Sequence, residues 1–204
     1  MRVTANVIPI TAARRRALAD RSDDELMRLA RTGDGPAFAV LVERHMSRLT
    51  DFCVKMACDR DTGRDLAQEV WVRIWGSRER YAPAGRFESY LFTVARNLCK
   101  NLRRDRGRRG QVIVAARDDG EIAAAPSPST DSVDELLARE QSDRVYRAVA
   151  DLPPKFREAI LLRFAAGLDY AQISDVIGRG ESTIRSRVYH GLRRLREVLD
   201  GGSA

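Results

Sequence analysis

The chain has 204 residues, of which 44% are hydrophobic and 32% charged, and a formal net charge of +7. That suffices for one large domain or two small ones with a packed core, and no segment approaches the roughly 18 consecutive apolar residues of a membrane span, so membrane insertion is not expected. The basic balance points to a polyanionic partner. Cys53, Cys58 and Cys99, without CxxC spacing and with only His45 and His190 beside them, make neither a disulfide framework nor a structural zinc site. They read as small apolar residues buried in a reducing cytosol. A redox pair of Cys53 and Cys58 is disfavoured, because residues five apart on a helix do not face each other.

Aromatic residues are 6% of the chain, and long alternating β-branched runs are absent, so the elements are expected to be helices. Val7 to Ala13 is a short mixed run followed, not preceded, by Arg14-Arg15-Arg16, the reverse of a signal peptide. Residues 1 to about 21 read as a disordered basic tail. Ser22 with Glu25 is a capping-box pattern that opens a first helix, with Leu26, Leu29 and Ala30 inward and Gly33 ending it. Pro36 suits the first turn of a second, long helix. Along it Phe38, Leu41, Val42, His45, Met46, Leu49, Phe52, Cys53 and Met56 recur at three- and four-residue steps. His45, on this face, reads as a satisfied core or boundary histidine. After a break over 59–63, Leu66, Val70, Trp71, Ile74 and Trp75 mark a third helix. Gly76 to Arg86 reads as a loop, and a fourth helix runs from about Glu88 to Arg106, with Leu91, Val94, Ala95, Leu98 and Leu102 inward. Residues 22–106 thus form one helical domain.

Composition then shifts to Gly, Ala, Pro, Ser and Asp over 107–132, a flexible linker that would span on the order of 30 Å as a free coil. A basic block from Arg96 to Arg109 precedes it and an acidic stretch, Asp118 to Asp143, follows. Residues 133–200 form a second domain, and 201–204 a short tail. Leu136, Leu137, Val145 and Val149 suggest one helix. Pro153-Pro154 opens another, with Phe156, Ile160, Leu161 and Phe164 inward, and Gly167 ends it. Asp169 caps a short helix with Gln172 at its third position. After a turn at Gly178 to Gly180, Ser182 to about Leu199 is the last helix, with Ile184, Val188, Leu192, Leu195 and Leu199 inward.

Residues 169–196 therefore give a helix, a glycine turn and a second helix, the helix-turn-helix pattern. Thr183, Arg185, Ser186, Arg187, Tyr189 and His190 cluster on the outer face near the start of its second helix, which enters the major groove in this motif. An arginine there suits guanine through its two-pronged donor geometry. Arg193, Arg194 and Arg196 lie further along, toward phosphates or solvent. A solvated helix face usually mixes charge signs. Between Arg179 and Arg196 only one acid, Glu181, stands among the arginines.

The run LPPKFRE from Leu152 to Glu158, Leu162-Arg163-Phe164, GLDYAQI from Gly167 to Ile173, and Ser182-Thr183-Ile184-Arg185-Ser186-Arg187 closely resemble region four of the extracytoplasmic-function sigma factors of bacterial RNA polymerase. DLAQEVW from Asp65 to Trp71 and FESYLFTVARN from Phe87 to Asn97 resemble region two of the same family. The resemblance covers about 22–106 and 133–199. It implies an all-α fold of two small helical domains joined by a flexible linker, the second carrying the helix-turn-helix. It implies a non-enzymatic cytoplasmic factor, without cofactor or metal, that binds core RNA polymerase, recognises minus-thirty-five and minus-ten promoter DNA, and is held inactive by a cognate anti-sigma factor. By likeness, Asp65, Gln68, Glu69 and Trp71 would bind the polymerase clamp; read as residues alone, they equally suit a solvated helix face with a core tryptophan. Phe87, Tyr90, Asn97, Lys100 and Asn101 would meet the minus-ten strand, with Phe87 and Tyr90 either stacking surfaces or core residues, and the loop Arg78 to Arg86 would capture an unstacked base. Thr183, Arg185, Ser186, Arg187, Tyr189 and His190 would read the minus-thirty-five duplex. The sequence departs from the family pattern at Tyr90, where tryptophan is usual, at Arg64, where an acid is common, and at Gly180-Glu181-Ser182, where Pro-Val-Gly is usual. The main rival is a conventional helix-turn-helix regulator that does not bind core polymerase. An enzyme is disfavoured because no P-loop, acid cluster in a glycine loop, or His/Cys constellation is present.

Overall fold

The computed structural model describes residues 12–82, 84–108 and 143–201. Among them every regular element is helical. A first helix, α1 (Ala12–Ala19), stands where the sequence suggested only a tail. It is anchored by the buried Leu18 and by ion pairs from Arg14 to Asp34 and from Arg15 to Glu43. The arginine run had masked a single apolar anchor.

Helix α2 (Asp23–Arg31) begins as expected: the Ser22 hydroxyl accepts from the Glu25 N–H and the Glu25 carboxylate accepts from the Ser22 N–H at 2.9 Å. Asp34 caps α3 (Gly35–Ala57), and Pro36 sits in its first turn as expected. The break before α4 (Arg60–Gly76) is only Cys58 and Asp59. Cys58 is left-handed at φ 54°, and Asp59 accepts from the Thr62 N–H at 2.7 Å. The hairpin of α3 and α4 closes tightly because residue 63 is glycine: a Cβ there would lie 2.4 Å from the Val54 Cα. A 3-10 turn, Arg78–Arg80, follows, then α5 (Phe87–Arg108). Rings fill the space between these helices. Phe52 meets Phe92 edge-on at 5.4 Å, Phe38 meets Trp71 at 5.6 Å, and Phe87 lies between Trp71 and Tyr81.

The second unit is α6 (helical over residues 143–150), α7 (Pro154–Phe164), α8 (Tyr170–Ile177) and α9 (Glu181–Gly201). Its core is aliphatic, built on Ile160, Leu162, Leu168, Ile173, Ile184 and Val188. Asp169 and Gln172 form the second capping box, and Gly178 at φ 70° makes the left-handed turn into α9. Leu136, Leu137 and the linker lie outside the described residues. Three residues expected inward are exposed: Val145, Leu192 and Phe164. Phe164 is the last residue of α7, which packs against α9, α8 and α3 together. A helix buried on several sides has no single apolar stripe, and periodicity misplaces its final residue. The two units also pack on each other, α5 against α8 and α3 against α7.

Candidate nucleic-acid interface

The turn Gly178 to Gly180 frees the start of α9 from the α7–α8 core, so only Ile184 and Val188 of its first two turns are buried. Ser182, Thr183, Arg185, Ser186 and Tyr189 are exposed, and Arg187 and His190 half-buried. Arg185 is preorganised: its guanidinium lies 4.4 Å from the Tyr170 ring centre and 3.3 Å from the Glu181 carboxylate. His190 rests against Phe156 and Tyr189. Behind this face Gly191 brings α9 close to α7, since a Cβ there would meet Ile160 Cγ1 at 2.9 Å.

The α5 set separates. Asn97 and Asn101 are exposed and Lys100 half-buried. Tyr90 is half-buried, its hydroxyl 3.0 Å from that of Ser77. Phe87 is 2% exposed and wedged between rings, so it leaves the set of surface contacts. The α4 set separates likewise. Asp65 and Gln68 are exposed, and Glu69 pairs with Arg73 at 2.7 Å. Trp71, 5% exposed, packs in the core. Val72, outside the apolar stripe of α4, is 66% exposed beside these acids.

A polar network links the helices beneath. Burial raises the Asp23 carboxyl, but hydrogen bonds from His45 and Arg44 and the charges behind them outweigh it and hold the pKa below the usual carboxylate range. The Tyr81 phenol is pushed up, by burial first and then by its hydrogen bond to Asp24. Cys53 meets Cys99, not Cys58; that contact and burial keep its thiol protonated. Cys58 is exposed, contrary to expectation, because it occupies the turn between helices. Among the described residues no cluster of potential metal ligands occurs, and no helix is long and apolar enough to cross a membrane.

Sequence reasoning missed the residues that join the two units. Arg48 of α3 donates to the Ala166 carbonyl and, at 2.8 Å, to Glu88. Glu88 also accepts from Gln172 of α8 at 3.0 Å. Arg86 pairs with Asp175 at 3.4 Å, and Arg96 and Lys100 both pair with Glu158 of α7. The one available signal was Glu158 itself, an acid within the apolar run of α7.

Two helical units, the second a helix-turn-helix with an exposed arginine-bearing second helix, define the chain as a helix-turn-helix protein of the DNA-binding class. The family models Sigma-70 region 2 and Sigma-70, region 4 match residues 41–109 and 142–195. The chain is 30% identical over 199 residues to the ECF RNA polymerase sigma factor SigK of Mycolicibacterium vanbaalenii, covering 97% of this chain and 98% of that one. It is 31% identical over 171 residues to SigE of Mycolicibacterium smegmatis, covering 82% of this chain and 65% of that one. Among solved structures, the sigma factor RpoE in complex with the anti-sigma factor NepR from Bartonella quintana aligns with TM-score 0.62 and 26% identity, covering 80% of this chain and 96% of that one. CnrH in complex with the cytosolic domain of CnrY shares the fold, at TM-score 0.68 and 22% identity over 89% of this chain and 99% of that one. The chain belongs to the extracytoplasmic-function sigma factors. It is a promoter-recognising initiation factor of RNA polymerase, not a conventional helix-turn-helix regulator.

Proposed function

We propose the following division of labour. The start of α9, with Thr183, Arg185, Ser186, Arg187, Tyr189 and His190, reads the minus-thirty-five duplex by direct contact with base edges and phosphates. Helix α5, through Asn97, Lys100 and Asn101 with Tyr90 at its edge, holds the displaced minus-ten strand, and the loop before it receives an unstacked base. On α4, Asp65, Gln68 and Glu69, with Val72 among them, dock on core polymerase. Residues 22–106 and 133–200 act as the two modules, and the intervening segment lets both engage one promoter, each raising the other's effective concentration. Bond-making stays with the polymerase. The factor works in the cytoplasm and is held in check by an anti-sigma protein, a reading supported by solved relatives bound to such partners.

The observation that carries this reading is the exposed, nearly acid-free start of α9 on a helix-turn-helix, joined in one chain to a region-two unit. The test is transcription in vitro by core polymerase on fragmented host DNA, with and without the protein, mapping new 5′ ends. New starts sharing two upstream motifs at fixed spacing are expected. Removal of the upstream motif by changes on α9, and of the downstream one by changes on α5, would establish the division. Starts that ignore both sets of changes would refute it.

A further inference from the structure

The loop before α5 is held from outside itself. Among the described residues Ala82, Ala84 and Gly85 make no backbone–backbone hydrogen bond. The Gly85 N–H donates instead to the Asp24 carboxylate of α2, and the other oxygen of that carboxylate accepts from the Tyr81 hydroxyl. One side chain thus grips both ends of the segment 81–85. Tyr81 is 7% exposed, its ring packed on those of Phe87 at 6.0 Å and Tyr90 at 5.1 Å. Helix α2 is itself pinned: Asp23 takes Arg44 and His45 of α3, and Leu26, Met27 and Ala30 are fully buried. A groove of about 660 Å³ opens between the held segment and α5, lined among others by Tyr81, Ala82, Ala84, Ser89, Tyr90 and Thr93. The Tyr90 hydroxyl in it is fixed 3.0 Å from that of Ser77. The Ser89 hydroxyl beside it is buried and has no hydrogen-bond partner among the described residues. A ring flanked by hydroxyls, opposite a wall of small residues, suits a nucleobase that stacks and hydrogen-bonds.

We propose that Asp24 is the positioning residue for base capture: by holding Tyr81 and Gly85 it keeps the loop in the shape that admits an unstacked base of the minus-ten strand. The proposal rests on the assignment of this loop to that base. Taking a base out of its stack is unfavourable, and contacts in the receiving pocket must offset it. A loop already in its bound shape loses little freedom when the base enters, whereas a released loop must be ordered at that moment. A released loop that keeps the bound shape about a tenth of the time captures the base about tenfold more weakly. The role calls for hydrogen bonding more than for charge. Asparagine at position 24 can accept from the Gly85 N–H while its amide donates to the Tyr81 hydroxyl, which serves as donor or acceptor. Alanine can do neither.

The test uses holoenzyme assembled from core polymerase and the full chain, with a fluorescent single strand that carries the mapped downstream motif. An abasic site is placed at each position of the motif in turn, and anisotropy reads the affinity. With the wild type, an abasic site at the captured position is expected to cost about tenfold. With Asp24→Ala or Tyr81→Phe the same abasic site is expected to cost no more than about twofold, because the strand then binds with the pocket unformed. Asp24→Asn is expected to restore the wild-type pattern. A full abasic penalty in both Asp24→Ala and Tyr81→Phe overturns the proposal. So does an equal weakening of intact and abasic strands that leaves the penalty unchanged, which is the mark of a merely structural role. Failure of the base-capture assignment looks different: no position shows a penalty with the wild type, or the penalty survives Ala84→Trp, whose ring fills the groove. Far-ultraviolet circular dichroism checks folding. If Asp24→Ala unfolds the chain, Tyr81→Phe, which keeps the ring and loses only the hydroxyl, carries the comparison alone.

Discussion

The two units solve the same packing problem with different materials. The region-two unit is built around rings, with Phe52, Phe92, Trp71 and Phe87 interlocked between α3, α4 and α5. The region-four unit is aliphatic and draws α7 and α9 together at Gly191. They also present their proposed DNA helices differently. The start of α9 faces solvent, whereas Arg96 and Lys100 of α5 pair with Glu158 of the other unit.

The sharpest way to break the comparison is through the glycines. Gly63→Ala sets a methyl against the Val54 backbone, which cannot rotate aside, so α3 and α4 must separate. A loss of about 3 kcal/mol is expected, at the upper end of overpacking costs, read as the shift in the urea midpoint. In Gly191→Ala the methyl meets side chains and no backbone, Ile160 tightly and Phe156 at ordinary contact, and a loss of about 1 kcal/mol is expected. Equal effects would mean that the two helix contacts are not of different kinds.

Next comes the open face. Arg185→Ala is expected to weaken binding of the upstream promoter duplex by about 2 kcal/mol, roughly thirtyfold, with relaxed discrimination at one base pair. Arg193→Ala, further along α9 and paired with Glu197 at 3.5 Å, is expected to change affinity for all sequences alike and by less. Anisotropy titrations on the mapped promoter and its single-base variants check both.

The pH response sharpens the contrast within the fold. Asp23 titrates below its unfolded value, so its stabilising contribution is present above the ordinary carboxylate pKa and is lost as pH falls through the folded one. Asp23→Asn is expected to cost about 2 kcal/mol at neutral pH, the scale of hydrogen bonds to a charged group. The gap from the wild type should close in acid. Both tryptophans, Trp71 and Trp75, lie in this unit, so their fluorescence during urea unfolding isolates it. A gap that persists into acid would place the stabilisation elsewhere. The smallest effect is at the cap: Ser22→Ala should cost about 1 kcal/mol, visible as a small drop in the melting temperature.

What the sequence made legible was local. Ser22 with Glu25 and Asp169 with Gln172 form their capping boxes as read, because a cap needs only residues three apart. The arginine-bearing face of α9 and the glycine turn before it were legible for the same reason. Helix α1 was not, since a single buried leucine, Leu18, makes no period. Nor were Phe87 and Trp71, whose types suit a stacking surface and a core equally; only the rings around them decide which.

The sequence by itself determined where the capped helices start and turn, which unit carries the helix-turn-helix, and which side chains crowd its outer face, because these follow from spacings of one or two helical turns. The tertiary structure alone decided which polar groups meet: Arg96 with the Glu158 carboxylate, 62 residues apart, and Arg48 with the Ala166 carbonyl, 118 apart. A surface arginine and a seam arginine look the same along the chain, and a charge selects its partner by distance in space.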